Sequence, residues 1–395
     1  MNKLKEVVLS GIKRTPVGSF QGVFSSVPAT RLGSIAIQAV MDETGLDAAA
    51  VDEVIMGNVL TAGEGQAPAR QACLGAGLPN SVECMTINKV CGSGLKSVML
   101  ATQAIQTGDA NVIIAGGMEN MTNVPYLLPK ARSGYRLGHG KLIDGMIHDG
   151  LWDVYNNIHM GNCAEMCAKD RQYSREAQDE FAQESYRRAQ DATNNGKFAA
   201  EIAPVQIPQR KGDPLVISTD EEPQRANFAK MGKLRPAFDK EGTITAANAS
   251  KINDGAGAAL LTSADRAAEL GLKPLVKIIS QASAAQAPEW FTTAPVKAVQ
   301  KALDKAGLTA GQIDLWEINE AFAPVAMAAI EEFKLDSKKV NVHGGAIALG
   351  HPIGASGARI LTTLLYAMQK REENLGLATL CIGGGEASAL IVEKV

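Results

Sequence analysis

Histidine is scarce in this chain, five among 395 residues, and aromatic side chains make up only 5%. Charge of one sign is lacking too: 39 basic residues against 42 acidic leave a formal net charge of −3. Without a basic footprint or a supply of stacking rings, the chain as a whole does not read as a nucleic-acid binder. Long apolar runs are absent, none nearing the roughly 20 residues that span a bilayer. The opening, Met1 to Leu9, passes from charged residues into an apolar strand pattern, without the order of basic, apolar and small residues that marks an export signal. The expectation is a cytoplasmic protein with no membrane partner. Six cysteines are too few for a disulfide framework at this length, so each is read as a core thiol or a reactive one.

What is present is a globular composition, 46% apolar and 21% charged, over a length that favours two or three domains. One unit occurs twice. Ile37 to Val54 (IQAVMDETGLDAAAVDEV) resembles Val299 to Trp316 (VQKALDKAGLTAGQIDLW), with Gly45 answering Gly307 at an offset of 262. Cys91-Gly92-Ser93-Gly94 answers Gly354-Ala355-Ser356-Gly357 at 263, each opening a long helix pattern, and Gly116 of VIIAGGME answers Gly383 at 267. Helices alternate with short apolar strands at Glu53 to Met56, Val112 to Ala115 and Leu377 to Cys381, which predicts two α/β domains with mostly parallel sheets. Between them, from about Glu119 to Asn248, lies an insertion of glycine, histidine and methionine loops with one strong helix, capped by Ser174 and ending near Asn195-Gly196.

Cys91 follows a strand pattern and immediately precedes a helix, in Asn88-Lys89-Val90-Cys91-Gly92-Ser93-Gly94. Glycines permit a sharp turn there, and a helix amino terminus favours thiolate over thiol, the setting of a nucleophile. A small core cysteine beside a glycine turn is the plain alternative. His351 occupies the matching turn of the second repeat, Gly350 to Gly357, so the pseudo-symmetry offers thiol and imidazole to one cleft, where histidine can take the cysteine proton. Cys381 ends an apolar strand ahead of Gly383-Gly384-Gly385, whose free amides suit an oxyanion hole, or it is a core thiol before a turn. Asn319, in Asn319-Glu320-Ala321-Phe322, either orients a water or donates to an oxyanion, or caps a helix. Cys163 and Cys167 lack CxxC spacing and partner ligands, so no metal site is expected, and the glycine runs fit neither GxGxxG nor a P-loop. Cys73 and Cys84 read as core fillers.

Together these residues resemble the thiolase family, specifically the acetoacetyl-CoA thiolases, from about Lys5 to Val392. The resemblance rests on six ordered motifs: NKVCGSG at Asn88 to Gly94, HMG at His159 to Gly161, NASKINDGA at Asn248 to Ala256, NEAFA at Asn319 to Ala323, GHPIGASGAR at Gly350 to Arg359 and CIGGG at Cys381 to Gly385. It implies two similar mixed-sheet α/β halves in α-β-α-β-α layers with an inserted loop domain: residues 1–120 completed by 249–273, then 121–248, then 274–395. It also implies acetyl-CoA C-acetyltransferase activity through an acyl-cysteine, in a cytoplasmic homodimer or homotetramer of fatty acid metabolism. By matching position, Cys91 is acylated, His351 activates it and Cys381 exchanges the α-proton of the second acetyl-CoA. His351 with a water on Asn319 forms one oxyanion hole, and the amides of Cys91 and Gly383 the other. His159 and Ser250 resemble pantetheine contacts, and Leu151, Met160, Phe291, Ala321 and Phe322 the acyl pocket walls. No cofactor is implied beyond coenzyme A as part of the substrate.

Two places depart from the family pattern. Arg225 is the basic residue nearest the expected adenosine end, in Glu221 to Met231, and Glu386 stands where relatives carry apolar or small residues. The runner-up is a degradative 3-ketoacyl-CoA thiolase of broader chain length, separated by pocket volume. Cys381 and the NEAF motif argue against a ketosynthase, and the full reactive set argues against a lipid-binding relative that keeps only the fold.

Overall fold

A computed structural model describes residues 4–395. Its main strands are β1 (Val7–Arg14), β2 (Glu53–Gly57), β3 (Glu83–Ile87), β4 (Val112–Asn120), β5 (Asn253–Ser263), β6 (Val276–Ala285), β7 (Leu315–Ile318), β8 (Leu375–Ile382) and β9 (Glu386–Lys394). They form one sheet in the order β7-β8-β9-β6-β1-β5-β4-β2-β3, and the short strand Gly18–Ser19 adds to β5. The expectation of mostly parallel sheets is corrected. Only β2 with β3, β2 with β4 and β7 with β8 run parallel. The pairings of β1 with β5 and β6, of β4 with β5, and of β9 with β6 and β8 are antiparallel. Strand direction is hidden in this sequence because β4 and β5 are buried along their whole length, which erases the in-and-out alternation of a half-exposed strand.

The doubling extends to fine detail. β1 on β5 and β6 on β9 both slip register at the same step, between Leu9 and Gly11 in one and between Ile278 and Ser280 in the other. Pairing also sets the true alignment of the repeats. Ile113 lies opposite Glu53 and Gly376 opposite Leu315, so β4 and β8 correspond at an offset of 263. The glycine match at 267 was four residues out, and the structural counterpart of Cys381 is Met118.

Seven longer helices complete the layers: α1 (Ala29–Thr44), α2 (Ser93–Thr107), α3 (Met160–Asp170), α4 (Arg175–Asn194), α5 (Ala294–Ala306), α6 (Ser356–Arg371) and, between the last two in sequence, the helix Ala323–Phe333. In the middle, Leu95 and Val98 of α2 meet Ile360 and Leu364 of α6 together with Ile113 and Leu380 of the sheet. On one outer face Leu32, Ile37 and Val40 of α1 cover Val54, Ile114 and Leu260. On the other, Val299 and Leu303 of α5 cover Ile318, Leu377 and Ile391. Neighbouring Ile113 and Ile114 thus face opposite layers, as the pleat requires. The result is the α-β-α-β-α arrangement, with α1 and α5 each closed by a left-handed glycine, Gly45 and Gly307. In the insertion, Ser174 caps α4 by accepting from the Ala177 amide, and Ala182 and Ala189 are buried on it. No helix among the described residues is long and apolar enough to cross a membrane.

The central helices meet backbone to backbone at their amino ends. A Cβ on Gly357 would lie 2.1 Å from the Leu95 nitrogen, one on Gly94 2.9 Å from the Ala358 nitrogen, and one on Gly117 2.0 Å from the Gly354 oxygen. Gly357→Ala is therefore expected to cost about 1–3 kcal/mol or more in urea unfolding. Gly311→Ala, where nothing lies within 4 Å of the added methyl, should stay within about 0.5 kcal/mol. Equal midpoints for the two variants would contradict this contact.

Candidate active site

The turn that presents Cys91 is built by short-range hydrogen bonds. Asn88 Oδ1 accepts from the Val90 amide at 2.9 Å, Ser93 Oγ accepts from the Lys89 amide at 2.8 Å, and the Ser93 hydroxyl donates to the Val90 carbonyl at 2.7 Å. The left-handed residue of the turn is Val90, at φ 45°, and Gly92 has an ordinary φ of −82°. Room is what the turn takes from Gly94 instead, where a Cβ would lie 2.9 Å from the Ala358 nitrogen and 3.0 Å from the Gly354 oxygen. A β-branched residue at positive φ is a strained one, held by its surroundings.

Cys91 is half-buried and packs with Leu151 against Val59, Leu60 and Ile353. The amides of Gly383 and of Cys91 itself point at the sulfur. The expectation of a lowered thiol pKa is corrected. Loss of solvent outweighs those amides, and with the Glu119 carboxylate nearby the thiol is pushed up to about 11.

His351 is held from both ends. Its amide donates to Asn253 Oδ1 at 2.9 Å, and Nδ1 lies 2.6 Å from Ser356 Oγ. The Ser356 hydroxyl donates to the Pro352 carbonyl, which can only accept, so Ser356 Oγ takes its second bond from a protonated Nδ1. The lone pair is then on Nε2, a buried atom with no protein partner. Burial, reinforced by the Arg359 guanidinium, pushes the ring pKa down to about 3, so the imidazole is neutral at physiological pH. A neutral ring with a free Nε2 leaves an acceptor lone pair open toward the site.

Asn319, at the end of β7, is fully buried, with its amide nitrogen 3.5 Å from His351 Nδ1 and its Oδ1 unpartnered. Cys381, at the end of β8, is buried among Met160, Phe291, Ala321, Phe322 and Ala249. Burial raises its thiol well above the usual range, and the nearby Cys91 sulfur adds to the effect. The structure therefore gathers four of the five anticipated wall residues round Cys381 and sets Leu151 on the Cys91 side. His159 caps α3 through Nδ1 and stacks on Phe238 at 4.8 Å between centroids, and the Ser250 amide donates to the Ala321 carbonyl at 2.9 Å. Arg225 stands apart, half-exposed and paired with Glu221 at 2.8 Å.

Sequence reasoning missed Phe238, which bridges His159 and Phe322 from an unremarkable loop. It also missed Ser356, although that residue lies within the quoted GASG motif, and Glu119. Both oxygens of Glu119 only accept, from Asn58 Nδ2 and the Leu60 amide and from the amides of Val59 and Gly354. The last of these, at 2.8 Å, ties β4 of one half to the His351 turn of the other.

A doubled α/β fold that brings a thiol from each half close together, with one of them packed against the turn of a neutral imidazole, defines a cysteine-centred site. Residues 7–265 match the family described as "Thiolase, N-terminal domain" and residues 272–394 that described as "Thiolase, C-terminal domain". The chain belongs to the thiolase family. It is 54% identical over 392 residues to an acetyl-CoA acetyltransferase of Pseudomonas aeruginosa, covering 99% of this chain and 100% of that protein. It is 55% identical, with the same coverage, to one from Cupriavidus necator. Among solved structures, Acat5 thiolase from Ascaris suum in complex with coenzyme A superposes with a TM-score of 0.94 at 44% identity, over 99% of this chain and 100% of that one.

With Cys91 near 11 and His351 near 3, thiol and imidazole rest as a neutral pair rather than as thiolate and imidazolium. Alkylation of Cys91 by iodoacetamide, followed by peptide mass spectrometry, should then accelerate about tenfold per pH unit from pH 7 to 9. A rate that levels off by pH 7 would show a preformed ion pair.

Proposed function

We propose that this protein is an acetyl-CoA C-acetyltransferase, condensing two acetyl-CoA into acetoacetyl-CoA and running the reverse thiolysis through an acyl group on Cys91. The observation that carries the reading is the Cys91 thiol close to the buried Cys381 thiol, with the Gly383 amide at its sulfur, packed against Ile353 in the turn of His351, whose neutral ring leaves Nε2 unpartnered. Bacterial relatives named acetyl-CoA acetyltransferase, alike over their full length, support it, as does the coenzyme A bound to the solved structural neighbour.

The chemistry divides into two transfers, and protons balance in each. In the first, Cys91 gives its proton to His351 Nε2 and attacks the thioester carbonyl. The C–S bond to coenzyme A breaks, and the departing sulfur takes the proton of Cys381. Cys91 is now acetylated, His351 is an imidazolium and Cys381 a thiolate. In the second, Cys381 accepts the α-proton of the incoming acetyl-CoA, whose carbanion attacks the acetyl carbonyl. A C–C bond forms, the C–S bond to Cys91 breaks, and His351 returns a proton to Cys91. A thiol raised by burial is a strong proton acceptor once ionised, which suits Cys381 to a weakly acidic C–H.

Charge develops on oxygen in both steps, so donors fixed beforehand carry much of the catalysis. In this reading the amides of Cys91 and Gly383 receive the oxygen of the Cys91-bound acyl group, while protonated His351 and a water on Asn319 receive the enolate oxygen. Met160, Phe291, Ala321, Phe322 and Leu151 wall a short acyl pocket, His159 and Ser250 line the pantetheine, and Arg225 is the cation offered to the adenosine end. Nothing in the balance calls for a metal or redox cofactor. The assignment further covers a cytoplasmic homodimer or homotetramer serving fatty acid metabolism.

Replacing Cys381 separates the two transfers. In Cys381→Ala, condensation and exchange of acetyl α-protons with solvent should fall by about 10²–10⁴-fold, the loss typical of a missing general base. Acetylation of Cys91, followed by rapid quench and mass spectrometry, should fall far less. Condensation near the parent rate would make Cys381 a strand-end thiol and assign the base elsewhere.

A further inference from the structure

Glu386 has Lys89 as its partner in the structure, an ion pair between the two halves. Lys89 is two residues before Cys91 and Glu386 three after Gly383. Each end of this ion pair is secured by its own backbone. The Lys89 amide is bonded to Ser93 Oγ and its carbonyl accepts from the Gly92 amide at 3.0 Å, so Lys89 moves with the Cys91 turn. Glu386 opens β9, in register with Ile382 on one side and Ala285 on the other, so it moves with the sheet.

The segment between Ile382 and Glu386 is three glycines. Gly384 and Gly385 sit at φ 85° and 83°, and no atom lies within 4 Å of where a Cβ on Gly384 would be. The Gly385 carbonyl accepts from the Gln286 amide at 2.9 Å, but Gly383 and Gly384 have no side chains to fix the course of the rest of the loop, and glycine surrenders more conformational freedom than any other residue when it is held. The Gly383 amide must nonetheless point at the Cys91 sulfur, and the facing turn contains the strained Val90.

We propose that the Lys89–Glu386 ion pair is a positioning strut that fixes the spacing between the Cys91 turn and the Gly383 loop, and so aims the two amides that receive the acyl oxygen. This inference rests on the acyl-cysteine reading above. Both side chains are partly exposed, at 23% and 38%, and pairs of that kind add at most about 1 kcal/mol to stability. Its loss is therefore felt in rate far more than in folding. Lys96 also faces Glu386, so a reversed pair would set two ammonium groups together, and neutral substitutions are the cleaner probe.

The test compares the full-length parent with Lys89→Met, Glu386→Gln, the double variant and Lys89→Arg. Single-turnover acetylation by acetyl-CoA gives a saturating rate and a half-saturating concentration, and thermal unfolding gives Tm. Each neutral single variant should slow the saturating rate roughly tenfold, as small misplacements at a reacting centre do. The half-saturating concentration should stay within about twofold, and Tm within about 2 °C. The double variant should be no slower than the slower single one, because both remove one interaction, and Lys89→Arg should keep most of the parent rate. Singles at the parent rate, singles whose losses multiply in the double, or slowing matched by a large fall in Tm would each overturn the strut. A parent that takes no acetyl group at all would instead overturn the acyl-cysteine reading, and the strut with it.

Discussion

Backbone touches backbone where Gly94 sits against Gly354 and Ala358, Gly357 against Leu95, and Gly117 against Gly354. The chemistry depends on that contact. Two amphipathic helices with ordinary side chains pack at 8–10 Å between axes, which would hold the two turns apart. Glycine at the crossing lets α2 and α6 bring their amino ends together, so the Cys91 turn of one half packs against the His351 turn of the other. Glu119 reinforces the arrangement by reaching from β4 of the first half to the Gly354 amide of the second.

Closeness of this kind excludes solvent, and the electrostatics follow from the exclusion. Helix amino ends and backbone amides favour a thiolate, yet desolvation opposes any net charge and prevails at Cys91, Cys381 and His351 alike. The two thiols and the imidazole therefore rest neutral. Charge appears on these three groups only as a reaction proceeds, when preorganised donors act at short range in a medium of low polarisability. His351 is prepared for this by a single detail: Ser356 donates to the Pro352 carbonyl, which leaves Nδ1 as the protonated nitrogen and Nε2 as the open lone pair.

Much of this was legible in the sequence, and what was not has physical reasons. The repeat of a helix closed by glycine was readable at Gly45 and Gly307 because a left-handed cap has a residue signature. The pairing of the Cys91 and His351 turns was readable because both open long apolar helices. Strand direction was not, since β4 and β5 are buried on both faces and carry no alternation. The third repeat match failed by four residues because glycines resemble one another wherever they fall, whereas hydrogen-bonded pairing with β2 and β7 sets the register. The thiol pKa was misjudged because a helix start is visible in sequence and burial of the sulfur is not. Phe238 and the partner of Glu386 are long-range contacts with no local signature.

The central claim is that Cys91 carries the acyl group, and it can be tested without turnover. Purified protein mixed with acetyl-CoA alone, quenched rapidly in acid and digested, should gain one acetyl group per chain, and mass spectrometry should place it on the peptide containing Cys91. A stable acetyl group mapped to Cys381, Cys163 or any other residue, or no acetyl group after a rapid quench, would contradict the account.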